Sequence, residues 1–168
     1  MICVLLGACL PLILGCIGVG SIDQRPKYSM AVFVEHPPNE GVDVVQMQIH
    51  RSNQRSTYVA SRPVLLLSPG MMTGVGLEES ELGVLTMEVR FTSRGTAEMQ
   101  RITAKYQEQR LYFVVAQPHP DDKKKLVSRC LGVVFVNQTI APGAVKFTPD
   151  ANREEAIEIA NGLQKALK

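Results

Sequence analysis

The sequence predicts an α+β fold, an antiparallel or mixed sheet with two helices packed on one of its faces. Three observations carry this reading. Leu85, Met87, Val89 and Phe91 alternate with Thr86, Glu88 and Arg90, the period of two that sets one side of a strand on a core and the other on solvent or a neighbour. Directly afterwards Met99, Ile102 and Tyr106 recur at three and four, and near the end of the chain Ala156, Ile159, Ala160, Leu163 and Leu167 do the same. Apolar runs of strand length lie between the two helical stripes, and such elements bury their apolar faces by packing as layers. With 45% hydrophobic residues and a net charge of +2, the 168 residues hold enough apolar material for one ordinary core.

The elements follow in order. Residues 30–34 are a strand candidate ending at His36-Pro37-Pro38, and Asn39-Glu40-Gly41 makes a turn. Residues 43–50 alternate, with Val45, Met47 and Ile49 on one side and Gln46, Gln48 and His50 on the other, as in a half-buried strand with a wet polar face. Residues 57–60 and 64–67 are two short strands separated by Ser61-Arg62-Pro63. Proline has no amide hydrogen to give a ladder, which places the second of them at a sheet edge. Gly74 and Gly76 lack the third glycine and the lysine of a phosphate loop and read as a turn. At Thr92 the alternating strand passes into a helix, whose first amides the threonine hydroxyl can accept. Gly95, on the apolar stripe of that helix, allows a close approach to the sheet. Residues 110–116 and 133–136 are further strands, separated by residues 117–131 with their prolines, aspartates and lysines. Asn152 and Glu155 then stand as N-cap and N3 of the closing helix, where Glu154 and Glu155 also favour the helix dipole.

The words FTSRGTAEMQRITA (91–104), TIAP (139–142) and EEAIEIANGL (154–163), taken in this order, resemble the head subdomain of the first periplasmic domain of the SecD/SecF protein-export family. Phe91, Thr92, Gly95, Ala97, Ile102 and Thr103 match that family's FT.eGa..f..iT, and residues 72–78 are similar to the lltG.dl stretch before its central strand. Residues 110–116 are similar to its krlaivl and the closing helix to its eeA..lA..L, so the resemblance runs over residues 58–167. It implies a ferredoxin-like, SecD-head-like arrangement and, as in the family, a role in engaging polypeptide outside the membrane. Two departures accompany it. Residues 117–131 intervene where the family has one tight hairpin, and the chain reaches its last helix sooner after Pro142, so a strand there is expected to be abbreviated or missing.

The beginning of the chain belongs to another regime. Residues 1–22 carry no charged side chain, and residues 2–14 form an apolar stretch of signal-peptide length. Ile13-Leu14-Gly15-Cys16 resembles a bacterial lipobox. On that resemblance residues 1–15 are a signal peptide, Cys16 is the site of lipid attachment, residues 16–29 are a tether and residues 30–168 are a single domain. Leu6-Gly7-Ala8-Cys9 fits the same pattern with too few apolar residues before it. No Lys or Arg precedes the apolar run, whereas Arg25 and Lys27 follow it, so a cleaved signal of another kind and an uncleaved anchor stand as alternatives.

Catalytic chemistry finds no support. Cys3, Cys9 and Cys16 fall in the leader, which leaves Cys130 as a lone thiol in an apolar run, the setting of a small buried hydrophobe. His36, His50 and His119 follow no HExxH or CxxC pattern and no serine stands in a nucleophile elbow. No catalytic residue, metal or cofactor is expected. Basic residues are scattered among 16 acidic ones, and the one dense cluster, Lys123, Lys124 and Lys125, follows Asp121 and Asp122. With aromatics at 5%, a nucleic-acid partner is excluded as well. The expectation is therefore a non-enzymatic cell-envelope lipoprotein, held to the membrane by its lipid anchor, facing the periplasm or exterior and binding a polypeptide or protein partner. A structural or small-ligand-binding lipoprotein that shares only the fold is one alternative, and an inner-membrane-anchored accessory of an export complex is another. A deep apolar cavity between sheet and helices would favour a small ligand, and a filled core with an exposed strand edge would favour a polypeptide.

Overall fold

The structure, a computed structural model, describes residues 28–38, 41–49, 55–119, 121–122, 124–140 and 143–168. Cys16, the signal segment, His50 and most of the tether lie outside the described residues. The elements are β1 (Ser29–Val34), β2 (Val44–Ile49), β3 (Arg55–Ala60), β4 (Leu65–Leu67), β5 (Met72–Glu79), β6 (Leu85–Phe91), α1 (Ser93–Lys105), β7 (Arg110–Pro118), β8 (Leu126–Phe135), β9 (Ala144–Phe147) and α2 (Arg153–Ala166).

The α+β class, the antiparallel pairing and the two helices are as expected. The strands divide among three ladders, a four-stranded sheet β4-β1-β7-β8, a three-stranded sheet β5-β6-β9 and the hairpin β2-β3. The division follows from saturation. β6 already pairs with β5 and β9 along its two edges, so β7, reached through α1, pairs instead between β1 and β8. One core joins both large sheets to both helices. Met87, Val89 and Phe91 of β6, Met99 and Ile102 of α1, Val32, Leu111, Phe113 and Val115 of the four-stranded sheet, and Ala156, Ile159 and Leu163 of α2 all belong to it.

Both helix starts hold as read. The Thr92 hydroxyl oxygen accepts from Gly95 N–H at 3.0 Å, and Asn152 Oδ1 accepts from Glu155 N–H at 2.9 Å, each satisfying an orphan amide. Gly95 is indeed a point of close approach, but to the turn before β5: a Cβ there would lie 2.0 Å from the Met71 carbonyl oxygen. Thr92 fixes the same turn twice, its N–H on Met71 O at 3.0 Å and its hydroxyl on Gly70 O at 2.9 Å. The buried Thr103 hydroxyl donates to Met99 O at 2.8 Å and accepts from Ile140 N–H at 3.0 Å, which brings two separate words of the sequence resemblance into contact.

Three local expectations are corrected or sharpened. Gly74 and Gly76 lie in strand β5, not in a turn. Their missing side chains leave room for Arg90 and Gln164, each of which places a polar atom 3.2 Å from where a Gly74 Cβ would stand, and Gln164 Oε1 accepts from Val75 N–H at 3.0 Å. The segment 117–131 is largely strand, since β7 and β8 pair from Arg110↔Phe135 out to Pro118↔Leu126. A bulge there, between Phe113 and Val114, sets Gly132 under the Phe147 ring, which stacks on Phe113 at 4.8 Å. The strand after Pro142 is present as the four-residue β9. Pro63 immediately precedes β4, which is an edge strand as expected.

Candidate binding groove

Alternation sends every second residue of the four-stranded sheet away from the core, and the register arranges these residues in rows. Phe33, Tyr112 and Val133 form a row of large side chains. Next come Leu66, Ala31, Val114 and Cys130, and then Ser29, Ala116 and Ser128. Side-chain size thus falls steadily along the face. The β2-β3 hairpin covers the large end, where Val59 of β3 with Met47 and Ile49 of β2 packs on Tyr112, Val114, Cys130, Phe33 and Val133.

A polar clasp fixes one side of the hairpin. Glu35 Oε1 accepts from the Thr57 hydroxyl at 3.1 Å, its other oxygen accepts from Arg110 at 3.1 Å, and His36 N–H donates to Tyr58 O at 3.0 Å. The hairpin reaches Val114 and Cys130 in the second row; beyond it no described residue lies over the Ser29-Ala116-Ser128 row, and a groove of about 500 Å³ opens between the hairpin and the sheet. Its floor is Ser29, Ala31, Val114, Ala116, Ser128 and Cys130, and its wall is Val45 to Gln48 of β2 with Val59, Ser61 and Pro63.

The groove carries almost no charge. Arg129 borders it, but the Arg129 guanidinium is engaged by the Glu155 carboxylate and the Asp150 carbonyl of the α2 start. The outer surface of the three-stranded sheet is the opposite case, with Lys146 Nζ 2.8 Å from Glu78 and 3.5 Å from Glu88. Cys130 is fully buried in the groove floor, where desolvation pushes its thiol up to about 12 from 9.0. A thiol held protonated is no nucleophile, and Cys130 packs as the small hydrophobe the sequence indicated. Among the described residues no three His, Cys, Asp or Glu side chains come together as a metal site. His36 hydrogen-bonds the Pro37 carbonyl and His119 the Asp121 amide, and neither lines the groove.

The sequence did not indicate this groove. Small residues in strands, such as Ala31 and Ala116, are its signal, but only the pairing of Ser29 with Ala116 and of Ala116 with Ser128 turns them into a row.

No family model matches the sequence, and no curated protein matches it. Solved structures do. The chain is similar to a membrane component, SecDF, that enhances protein export, with a TM-score of 0.58 and 16% identity over 84% of this chain and 64% of that one. It is similar to SecDF in a super-membrane-facing form with a TM-score of 0.56 and 15% identity, over 84% of this chain and 19% of that one. The chain thus spans less than two thirds of the length of the SecDF chains it matches. At these identities the likeness is one of architecture: two helices and antiparallel sheets in the SecD-like α+β fold.

Proposed function

We propose that this chain is a non-enzymatic envelope lipoprotein, anchored by acylated Cys16, whose SecD-like domain holds a polypeptide partner in the groove beside β2. The observation that carries the reading is the trough of about 500 Å³ on the sheet face opposite the helices, with Arg129 its single charged lining residue among those described. The face toward the helices is closed by Val32, Leu111, Phe113 and Val115, all fully buried, so the space for a partner is on the outside. SecDF, which has this fold, enhances protein export, and that supports a role beside exported chains.

The test places a photo-crosslinking residue at Ala116 or Ser128 in the groove, and at the exposed Ile157 of α2 as a control. The probe is an unfolded precursor polypeptide. Crosslinks from both groove positions and none from the control, competed by the unfolded but not the folded form of the probe, are expected. Equal labelling from all three positions would refute the groove as the site. For the anchor, the intact mass of the N-terminal peptide from native membranes is expected to show acylated Cys16, and an unmodified chain beginning at Met1 would refute it.

A further inference from the structure

We infer that the polypeptide enters the groove as an extended strand added to the open edge of β2, with an uncharged segment facing the sheet. This rests on the polypeptide reading above. The phase of the hairpin ladder is fixed where Ser61 N–H donates to Asp43 O at 2.8 Å. In an antiparallel ladder the bonded pairs alternate, so the backbone groups of Val45, Met47 and Ile49 turn to β3 and those of Val44, Gln46 and Gln48 turn away from it. Among the described residues no backbone group takes them. Four consecutive residues of β2, Val45 to Gln48, line the groove, together with Val59 and Ser61 from the β3 side of the hairpin.

Several other strand edges are shortened or partly occupied. β4 has only three residues and follows Pro63. Gln164 of α2 takes the outward Val75 N–H of β5, and Asp150 N–H takes the Leu131 carbonyl of β8. β3 is held by its bridge to Glu35 and by His36. β2 keeps a six-residue edge with Val45 half exposed beside it. Exposed edges accept strands, and proteins that do not use them cover them.

The room beside β2 lies over Ala31 and the Ser29-Ala116-Ser128 row, whose short side chains leave space for alternate residues of an incoming strand. The lining settles the chemistry of those residues. Among the described residues Arg129 is its one charged residue, with Nη1 on Glu155, Nη2 on the Asp150 carbonyl and a buried Nε left without a partner, so a charged side chain pointing down would be desolvated with little compensation. Hydrogen bonds come from the β2 backbone and are indifferent to sequence. The groove therefore takes uncharged, extended segments of many sequences.

The experiment uses the full chain purified from membranes in detergent. The probes are a capped, uncharged peptide alternating serine or alanine with valine and the same peptide N-methylated at every residue, which keeps the side chains and removes the backbone donors. Binding of the first, with slowed amide exchange at Gln46 and Gln48, and binding of the second weaker by about tenfold or more are expected. Gln46→Pro, which removes an outward donor and leaves the ladder to β3 intact, is expected to weaken the first peptide to a similar degree. Equal binding of both peptides, or binding of neither while the groove still crosslinks the unfolded precursor, would overturn strand addition and leave the polypeptide reading standing. Loss of the precursor crosslink would overturn both. A dimer of the free chain that Gln46→Pro dissolves would make a second copy the occupant and equally overturn the proposal.

Discussion

The two faces of the four-stranded sheet are made by alternate residues of the same strands and serve opposite ends. Toward the helices stand Val32, Leu111, Phe113 and Val115, all fully buried in one core that reaches α1, α2 and the second sheet. Toward the hairpin the side chains shrink from Phe33 and Tyr112 to Ser29, Ala116 and Ser128, and the cover stops where they become small. A filled face gives stability and leaves no room, whereas a face of small residues contributes little to stability and leaves a site. Substitutions on the two faces should therefore separate stability from binding.

The largest effect is expected in the helix layer, at Gly95. A Cβ there meets a backbone carbonyl, which cannot rotate aside as a flexible side chain does, and Thr92 pins the same turn from two atoms. Gly95→Leu should destabilise by on the order of 4 kcal/mol or more, with Gly95→Ala already costly, read as the urea midpoint. An unchanged midpoint would mean that α1 does not pack as closely as Gly95 allows.

The next pair lies on one strand, three residues apart. Phe113 faces the core and stacks on Phe147, so Phe113→Ala should cost about 3–5 kcal/mol and leave groove crosslinking per folded molecule unchanged. Ala116 faces the groove, and Ala116→Trp should shift stability by roughly 0.5 kcal/mol or less while abolishing crosslinking from Ser128. If Ala116→Trp destabilised as strongly as Phe113→Ala, the outer face would be as closely packed as the inner one, and the comparison would fail.

What could be read in the sequence divides along the same line. Local signals held: the alternation of β6, the Thr92 and Asn152 caps, the proline ahead of the edge strand β4, and the helical stripes all depend on neighbours within a few residues. What escaped depends on residues far apart. Gly74 and Gly76 read as a turn because the partners that explain them, Arg90 and Gln164, are distant in the chain. The segment 117–131 read as an interruption because its prolines and charges are local, while its pairing with β7 is not. The groove was invisible for the same reason, since a row of small residues exists only after three strands have found their register. Cys16, the one site residue the sequence named, lies outside the described residues.

The smallest effect tests how firmly the hairpin covers its end of the outer face. Cys130 is buried beneath it, and desolvation holds the folded thiol up to about 12, while an unfolded thiol ionises near 9.0. A raised acid pKa sets the sign. Below pH 9.0 both states keep the proton and Cys130 adds no pH dependence, whereas from 9.0 toward 12 the unfolded chain releases the proton first and stability falls as pH rises. Tyr28 and Tyr112, also raised, act with the same sign from 10.0 upward, so the contribution of Cys130 is isolated as the difference from Cys130→Ala between 9.0 and 10.0. The wild-type urea midpoint is expected to decline more steeply there than that of Cys130→Ala. Alkylation at about pH 8 then separates the two faces. If the hairpin alone shields the thiol, modification follows its local opening, with a weaker urea dependence than global unfolding, because less surface is exposed. Alkylation that tracked global unfolding would instead join the hairpin to the core as one cooperative unit, and the groove beside β2 would be as rigid as the face that stabilises the fold.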